Sequence, residues 1–144
     1  MKLDQIFDEW GKDSKIDINN LEVESLNIPY LHHKYYKILI DEKQRLTAAK
    51  ASYAAMHQQK FEFYTSGPTE DTQRLGWTLP PRGKIIKNDV EPYLTNDPDL
   101  VPLALRVGLM EEKISLIVSI LDTIKNRSFH VKNAIDFIKF KNGL

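Results

Sequence analysis

Between residues 103 and 138, Leu103, Val107, Met110, Ile114, Ile117, Leu121, Ile124, Ser128, Val131, Ile135 and Ile138 recur at spacings of four, three, four, three without a slip. Only an α-helix keeps such residues on one face, and the seven-residue period is that of helices packed side by side. The first part of the stretch is apolar off this seam as well, at Leu100, Leu105, Leu109, Leu116, Val118 and Ile120. A helix apolar most of the way round must be buried by more than one neighbour. A chain of 144 residues offers one other long helical segment and a short one. The expectation is that further copies of the chain supply the missing neighbours, with Leu103, Val107, Met110, Ile114, Ile117, Leu121 and Ile124 at the subunit interface. The alternative is a monomeric three-helix bundle.

The rest of the chain is also read mainly as helix. Leu3, Ile6, Phe7 and Trp10 stand at helical spacing before Gly11 and predict a short amphipathic helix with an aromatic edge to dock. After Pro29 no Pro or Gly interrupts the chain to Tyr64, which predicts one helix over 29–64. Its seam runs through Leu31, Tyr35, Ile38, Leu46, Ala49, Tyr53, Met56 and Phe63, weakened at Glu42 and Lys60, so this helix is expected to pack on helices of its own protein. Residues 68–97 hold Pro68, Pro80, Pro81 and Pro92 with Gly76 and Gly83 and read as a loop. Within it, 84–87 and 90–94 flank Asn88 and Asp89 and can pair as a small hairpin, Pro92 confining its strand to an edge. Asp97 or Asp99 caps the next helix, with Pro98 at its first position. The seam then runs on to Lys141 or restarts with Ser128 as cap, and Asn142 and Gly143 close it. The fold class is thus all-α: long helices in a coiled-coil-like bundle that oligomerises, with a proline-rich loop between them. Residues 1–144 form a single domain, with 98–144 as oligomerisation helices.

Composition excludes several chemistries. There is no cysteine, hence no disulfide, thiolate zinc site or catalytic thiol. No apolar run reaches the roughly 18 residues of a membrane span, and a soluble, intracellular protein with no membrane partner is expected. His32 and His33 are adjacent and diverge, while His57 and His130 are isolated, so no metal-ligand spacing exists. Glu111 and Glu112 diverge on a helix, and no phosphate-binding glycine loop or nucleophile elbow is present. Neither an enzyme nor a cofactor is expected.

Lys plus Arg and Asp plus Glu number 20 each, yet the charge is unevenly spread. Residues 1–26 and 88–112 are acidic. Residues 34–60, with Lys34, Lys37, Lys43, Arg45, Lys50 and Lys60 against Asp41 and Glu42, are basic, and so is the chain from Lys125 on. Such a distribution suits a dipolar subunit that grips a polyanion, or simply solvated helix faces. Two segments interleave cations with aromatics: Lys60, Phe61, Phe63 and Tyr64 at a helix end, and Lys125, Arg127, Phe129, His130 and Lys132 near the tail. Single-stranded nucleic acid is held by cations along the phosphates and aromatic faces against unpaired bases, although Phe61, Phe63 and Phe129 equally suit a core.

Lys34, Leu46, Phe63, Tyr64 and Gly67, followed by Ile124, Lys125, Asn126, Arg127, Ser128 and Phe129, then Val131, Lys132, Ile135, Phe140 and Gly143, resemble the UvsY recombination mediators of T-even-like phages and their cyanophage relatives. The resemblance implies an all-helical accessory protein in the cytoplasm of a bacterial host. It implies a closed homo-oligomeric ring of six or seven protomers, heptamer preferred, that binds single-stranded DNA and contacts the phage recombinase and the phage single-strand-binding protein. It would load the recombinase onto strands from which the binding protein is displaced. The family's basic DNA-binding cluster falls here on Gln58, Gln59, Lys60 and Phe61, where Lys60 matches and Gln58 replaces a basic residue. Lys50, Arg45, Arg74, Arg82 and Lys84 are available to compensate. The expected DNA-binding set is Lys50, Lys60, Tyr64, Arg74, Arg82, Lys84, Lys125, Arg127 and Lys132. The family's C-terminal segment serves self-association, so the last three have either role. A helical adaptor whose basic patches meet an acidic protein and never DNA is the alternative function.

Overall fold

The computed structural model describes residues 1–143, and every regular element among them is helical. In chain order these are α1 (Leu3–Asp13), α2 (Leu21–Leu26), α3 (Ile28–Ser66), α4 (Glu70–Arg74), a 3-10 turn at Lys87–Asp89, α5 (Glu91–Thr95), α6 (Leu100–Lys125) and α7 (Arg127–Lys141). The all-α expectation holds. Pro29 sits in the first turn of α3, where a missing N–H costs nothing, and good helix formers carry the helix on for 39 residues. It stops at Gly67, whose φ of +93° a side chain would resist. An added Cβ there would also meet the Lys84 stem at 2.9 Å.

The chain divides into two compact units, Met1–Gln44 with the chain from Glu111 onward, and Arg45–Met110. In the first unit Ile6 of α1, Leu31, Tyr35 and Leu39 of α3, and Ile117, Ile120, Leu121 and Ile124 of α6 form one buried cluster. Trp10 meets Tyr35 edge-on with ring centroids 5.5 Å apart. The aromatic edge of α1 thus docks on its own chain. Lys34 donates to Glu9 (2.7 Å) and Asp13 (2.6 Å), and the Tyr35 hydroxyl donates to Asp13 (2.8 Å), tying α1 to α3.

This cluster takes Ile117, Leu121 and Ile124 out of the expected subunit interface. Ile117, Leu121 and Ile124 are buried within the protomer, and Ile114 is packed against them. Met110 is buried too, with Leu103 and Val107 half-buried. The physical reason is that α1, although only 11 residues long, adds Ile6 and Trp10 to what α3 presents, and together they bury the heptad positions of α6 from Ile114 to Ile124. What stays exposed in the second unit is the surplus face: Leu105 at 64% and Leu109 at 60%, with Val101; Val118 of the first unit is exposed on another side of α6.

Glu42, one of the two residues that weaken the α3 seam, is 1% exposed. Its carboxylate lies 3.1 Å from the Met1 amine and 2.7 Å from Lys113 Nζ. Burial raises its pKa, but Lys113 and the amine outweigh burial, so the group ionises below its ordinary 4.5.

The last helix starts neither by continuation nor at Ser128. α6 ends at Lys125, Asn126 makes the break, and α7 begins at Arg127. The Arg127 side chain is buried; Nη1 donates to the Ser14 carbonyl (3.3 Å) and Nη2 to the Lys15 carbonyl (3.0 Å) and the Glu24 carboxylate (2.9 Å). A guanidinium with its fork of donors can hold three acceptors at such a joint.

In the second unit Phe63, Tyr64, Ile85, Val90, Leu94 and Leu100 form the core, with Tyr53, Met56, Phe61, Trp77, Leu79 and Tyr93 against it. The Ile85 amide donates to the Tyr64 carbonyl (2.8 Å), which pins the proline-rich segment to the end of α3. The hairpin expected over 84–94 does not form. Pro92 lies in the first turn of α5 instead, where its ring fits and its lack of an N–H is harmless. Asp97 caps α6 as expected, accepting from the amides of Asp99 (2.9 Å) and Leu100 (3.2 Å), although the helix begins at Leu100 rather than Pro98.

Candidate nucleic-acid interface

Within the second unit the end of α3 brings Lys60 and Tyr64, one turn apart, toward the start of α6. Lys60 is only 3% exposed. Its Nζ lies 3.2 Å from Asp97 and 2.7 Å from Asp99, and 3.8 Å from the centroid of the Trp77 ring. The Tyr64 hydroxyl donates to Asp97 Oδ2 at 2.6 Å. Asp97 is thereby saturated: one oxygen serves the helix cap and the other takes the phenol and the ammonium. Burial works to raise the Asp97 pKa, yet Tyr64, the Asp99 amide and Lys60 together hold it below the ordinary 3.8. Burial first, and Asp97 second, push the Tyr64 hydroxyl far above the usual phenol range. Trp77 in turn meets Phe63 edge-on at 5.5 Å.

This geometry removes Lys60 and Tyr64 from the surface set expected to touch DNA. A phosphate reaching Lys60 would have to displace two carboxylates from an ammonium that is already desolvated. Arg127 is removed for the same reason, because its guanidinium is spent on Ser14, Lys15 and Glu24. Trp77 and the pairing role of Asp97 and Asp99 were not anticipated from the sequence. The available signal was Lys60 itself, a cation on an otherwise apolar seam, which demands a buried counter-charge.

The other expected cations do face solvent. In the second unit Lys50, Arg74, Arg82 and Lys84 are exposed. Arg74 has only long ion pairs, 3.7 Å to Glu70 and 3.9 Å to Asp71, on side chains open to water, which hold it weakly. Lys84 lies over Gly67, beside the end of α3. In the first unit Lys125 is 3.9 Å from Asp122 and exposed, and Lys132 is exposed on α7. A water-facing cation gives up less on meeting a phosphate than the buried Lys60 and Arg127 would. Among the described residues no group of three or more acidic, His or Cys side chains is arranged to hold a metal ion, and no helix is long and apolar enough to cross a membrane.

A protein-family profile described as "Recombination, repair and ssDNA binding protein UvsY" matches residues 9–144. The fold is similar to crystal structures of the bacteriophage T4 recombination mediator protein UvsY. For lattice type II the TM-score is 0.85 at 20% identity, covering 99% of this chain and 98% of that one. For lattice type I the TM-score is 0.82 at 20% identity, covering 95% and 98%. No curated protein sequence matches the chain.

Proposed function

Because the chain belongs to the UvsY family of recombination, repair and single-stranded-DNA-binding proteins, we propose that it acts as a homo-oligomeric ring of six or seven protomers, seven preferred. This ring loads a phage recombinase onto strands covered by single-strand-binding protein, in the cytoplasm of a bacterial host. Single-stranded-DNA binding in recombination is the family's role; the ring, the two protein partners and the loading step are the proposal.

The observation that carries it is the apolar surface the protomer leaves uncovered. Leu105 and Leu109 stand on α6 with Val101, and α7 exposes Phe129, Phe137 and Phe140. Large apolar side chains grouped on one face of a helix mark a contact surface. The subunit interface therefore belongs to this surplus face and not to Ile117, Leu121 and Ile124. The strand contacts belong to Lys50, Arg74, Arg82, Lys84, Lys125 and Lys132. Each protomer then neutralises only a few phosphates, with a salt slope of about −0.7 per phosphate on a single strand. A ring repeats the patch, so the second and later contacts form at high effective concentration. A strand held along the ring is extended, offered to the recombinase at intervals, and deprived of contacts with the competing binding protein.

Fluorescence anisotropy with a labelled oligonucleotide at low and moderate salt tests this. Wild-type protein is expected to bind single strands in preference to duplex, with affinity that falls as salt rises. Leu105→Asp, a change at an exposed site, is expected to keep its helical signal, sediment as a single chain and bind roughly a hundredfold more weakly. Salt-insensitive or absent binding by the wild type would favour an adaptor that meets only protein.

A further inference from the structure

The part of α3 within the first unit carries side chains that neither its core nor its ion pairs use. Tyr36 is 49% exposed, and Tyr30 and Ile40 are also exposed. The His32 ring lies against Tyr36 nearly parallel, at 13° and 5.7 Å between centroids. His33 and Lys37 face water. At 100° per residue, His32, Tyr36, Ile40, His33 and Lys37 fall within about 140° of arc and about 12 Å along the axis. The buried residues Leu31, Tyr35 and Leu39 fill the adjoining arc, about 20° to 100° to the other side of His32.

The charges on this segment sort in the same way. Lys34 is consumed by Glu9 and Asp13. Of the two carboxylates in residues 28–44, Glu42 is buried against Met1 and Lys113, and only Asp41 faces water. The exposed side of the helix thus combines aromatic rings with the water-facing Lys37.

We propose that this face, with the Tyr36 ring as platform and Lys37 beside it, is a base-stacking subsite for unpaired nucleic acid. The inference rests on the single-strand-binding role and adds to it a contact made to the bases. The His32 ring holds Tyr36 in place from one side, and an unpaired base extends the stack on the other. Base–aromatic stacking of this kind is tolerant of sequence, because every base has a π-face. Lys37, one residue on and about 100° further round the helix, is set to meet a neighbouring phosphate of the strand rather than that of the stacked nucleotide. An aromatic face in a duplex would find its bases already stacked on one another, so the subsite selects single strands.

The test compares a labelled oligo(dT) with an abasic oligonucleotide of equal length, using the full chain and its Tyr36→Ala, Tyr36→Trp and Lys37→Gln variants. Wild type is expected to prefer oligo(dT) over the abasic strand by at least about fivefold. Tyr36→Ala loses that preference while its salt slope and sedimentation stay as in wild type. Tyr36→Trp retains it, and Lys37→Gln flattens the slope on both strands. Retention of the preference in Tyr36→Ala overturns the subsite but leaves strand binding intact. A change in sedimentation on Tyr36→Ala overturns it too, by marking this face as a contact between copies. Absence of wild-type binding to either strand overturns the functional reading along with the subsite.

Discussion

Glu42 and Lys60 interrupt the same apolar stripe of α3, eighteen positions and hence a whole number of turns apart, and the two units of the molecule resolve them as opposites. In the first unit a buried carboxylate is met by two cations, the Met1 amine and Lys113. In the second a buried ammonium is met by two carboxylates and the face of Trp77. The surroundings differ in kind. Glu42 sits in the unit whose core is dominated by Ile and Leu, and both of its cations retain some contact with water. Lys60 sits in a small aromatic core built from the proline-rich segment, where one partner, Asp97, is 1% exposed and the other, Asp99, stays half open to water. The same interruption is therefore a surface-linked clamp in one unit and the organising centre of the other.

Removing one member of each node breaks the comparison most sharply. Lys60→Ala strands the Asp97 carboxylate in the interior and is expected to cost about 3–5 kcal/mol. Glu42→Ala leaves cations that can turn toward water and is expected to cost about half as much. Urea unfolding of the two variants measures both, and equal losses would dissolve the distinction. The DNA-binding affinity of Lys60→Ala, measured where it remains folded, is expected to match wild type, because Lys60 lies inside.

A smaller effect separates the hydrogen bonds of the second node from its charges. Tyr64→Phe deletes the 2.6 Å bond to Asp97 but keeps the ring and the ammonium, at an expected cost of about 1.5–2 kcal/mol by the same unfolding measurement. A loss as large as that of Lys60→Ala would show that the phenol, not the ion pair, holds the segment.

Acid titration gives the mildest and most selective probe. Glu42 and Asp97 both ionise below their ordinary values of 4.5 and 3.8, so in that window the unfolded chain binds more protons than the folded one. Stability is fully present above pH 4.5, and falls as the pH drops through the depressed folded values. The urea midpoint is expected to be level from neutrality to about pH 5 and then to decline. Glu42→Gln should remove the earlier part of the decline and leave the Asp97 part.

How much of this was legible before folding follows the same division. The unbroken run behind Pro29 revealed α3, Gly67 its end, and Asp97 the cap of α6, since each depends on residues close in sequence. The heptad of α6 was also correct as a face, but periodicity says only that a face is buried, not by whom. Ile6 and Trp10 of a short helix help to bury its later part, Ile117, Leu121 and Ile124, within the protomer. The role of Lys60 was hidden because its partners lie more than thirty residues away, and a cation flanked by Phe61 and Phe63 has the same appearance beside a nucleic acid as inside a core. Arg127 was hidden likewise, two of its acceptors being backbone carbonyls at Ser14 and Lys15 that no side-chain pattern announces and the third, Glu24, lying about a hundred residues away. Pro92 is compatible with an edge strand and with the first turn of a helix, and only the packing of Leu94 and Val90 into the second core decides for the helix.

The central proposal is that exposed apolar side chains on α6 and on α7 join copies of the chain so that weak grips on an unpaired strand act together. Native mass spectrometry of the wild-type protein at micromolar concentration tests it directly. One closed species at six or seven times the 16.7 kDa of a single chain is expected, lost in Leu105→Asp. A 16.7 kDa wild-type monomer, or an assembly unaffected by Leu105→Asp, would contradict it.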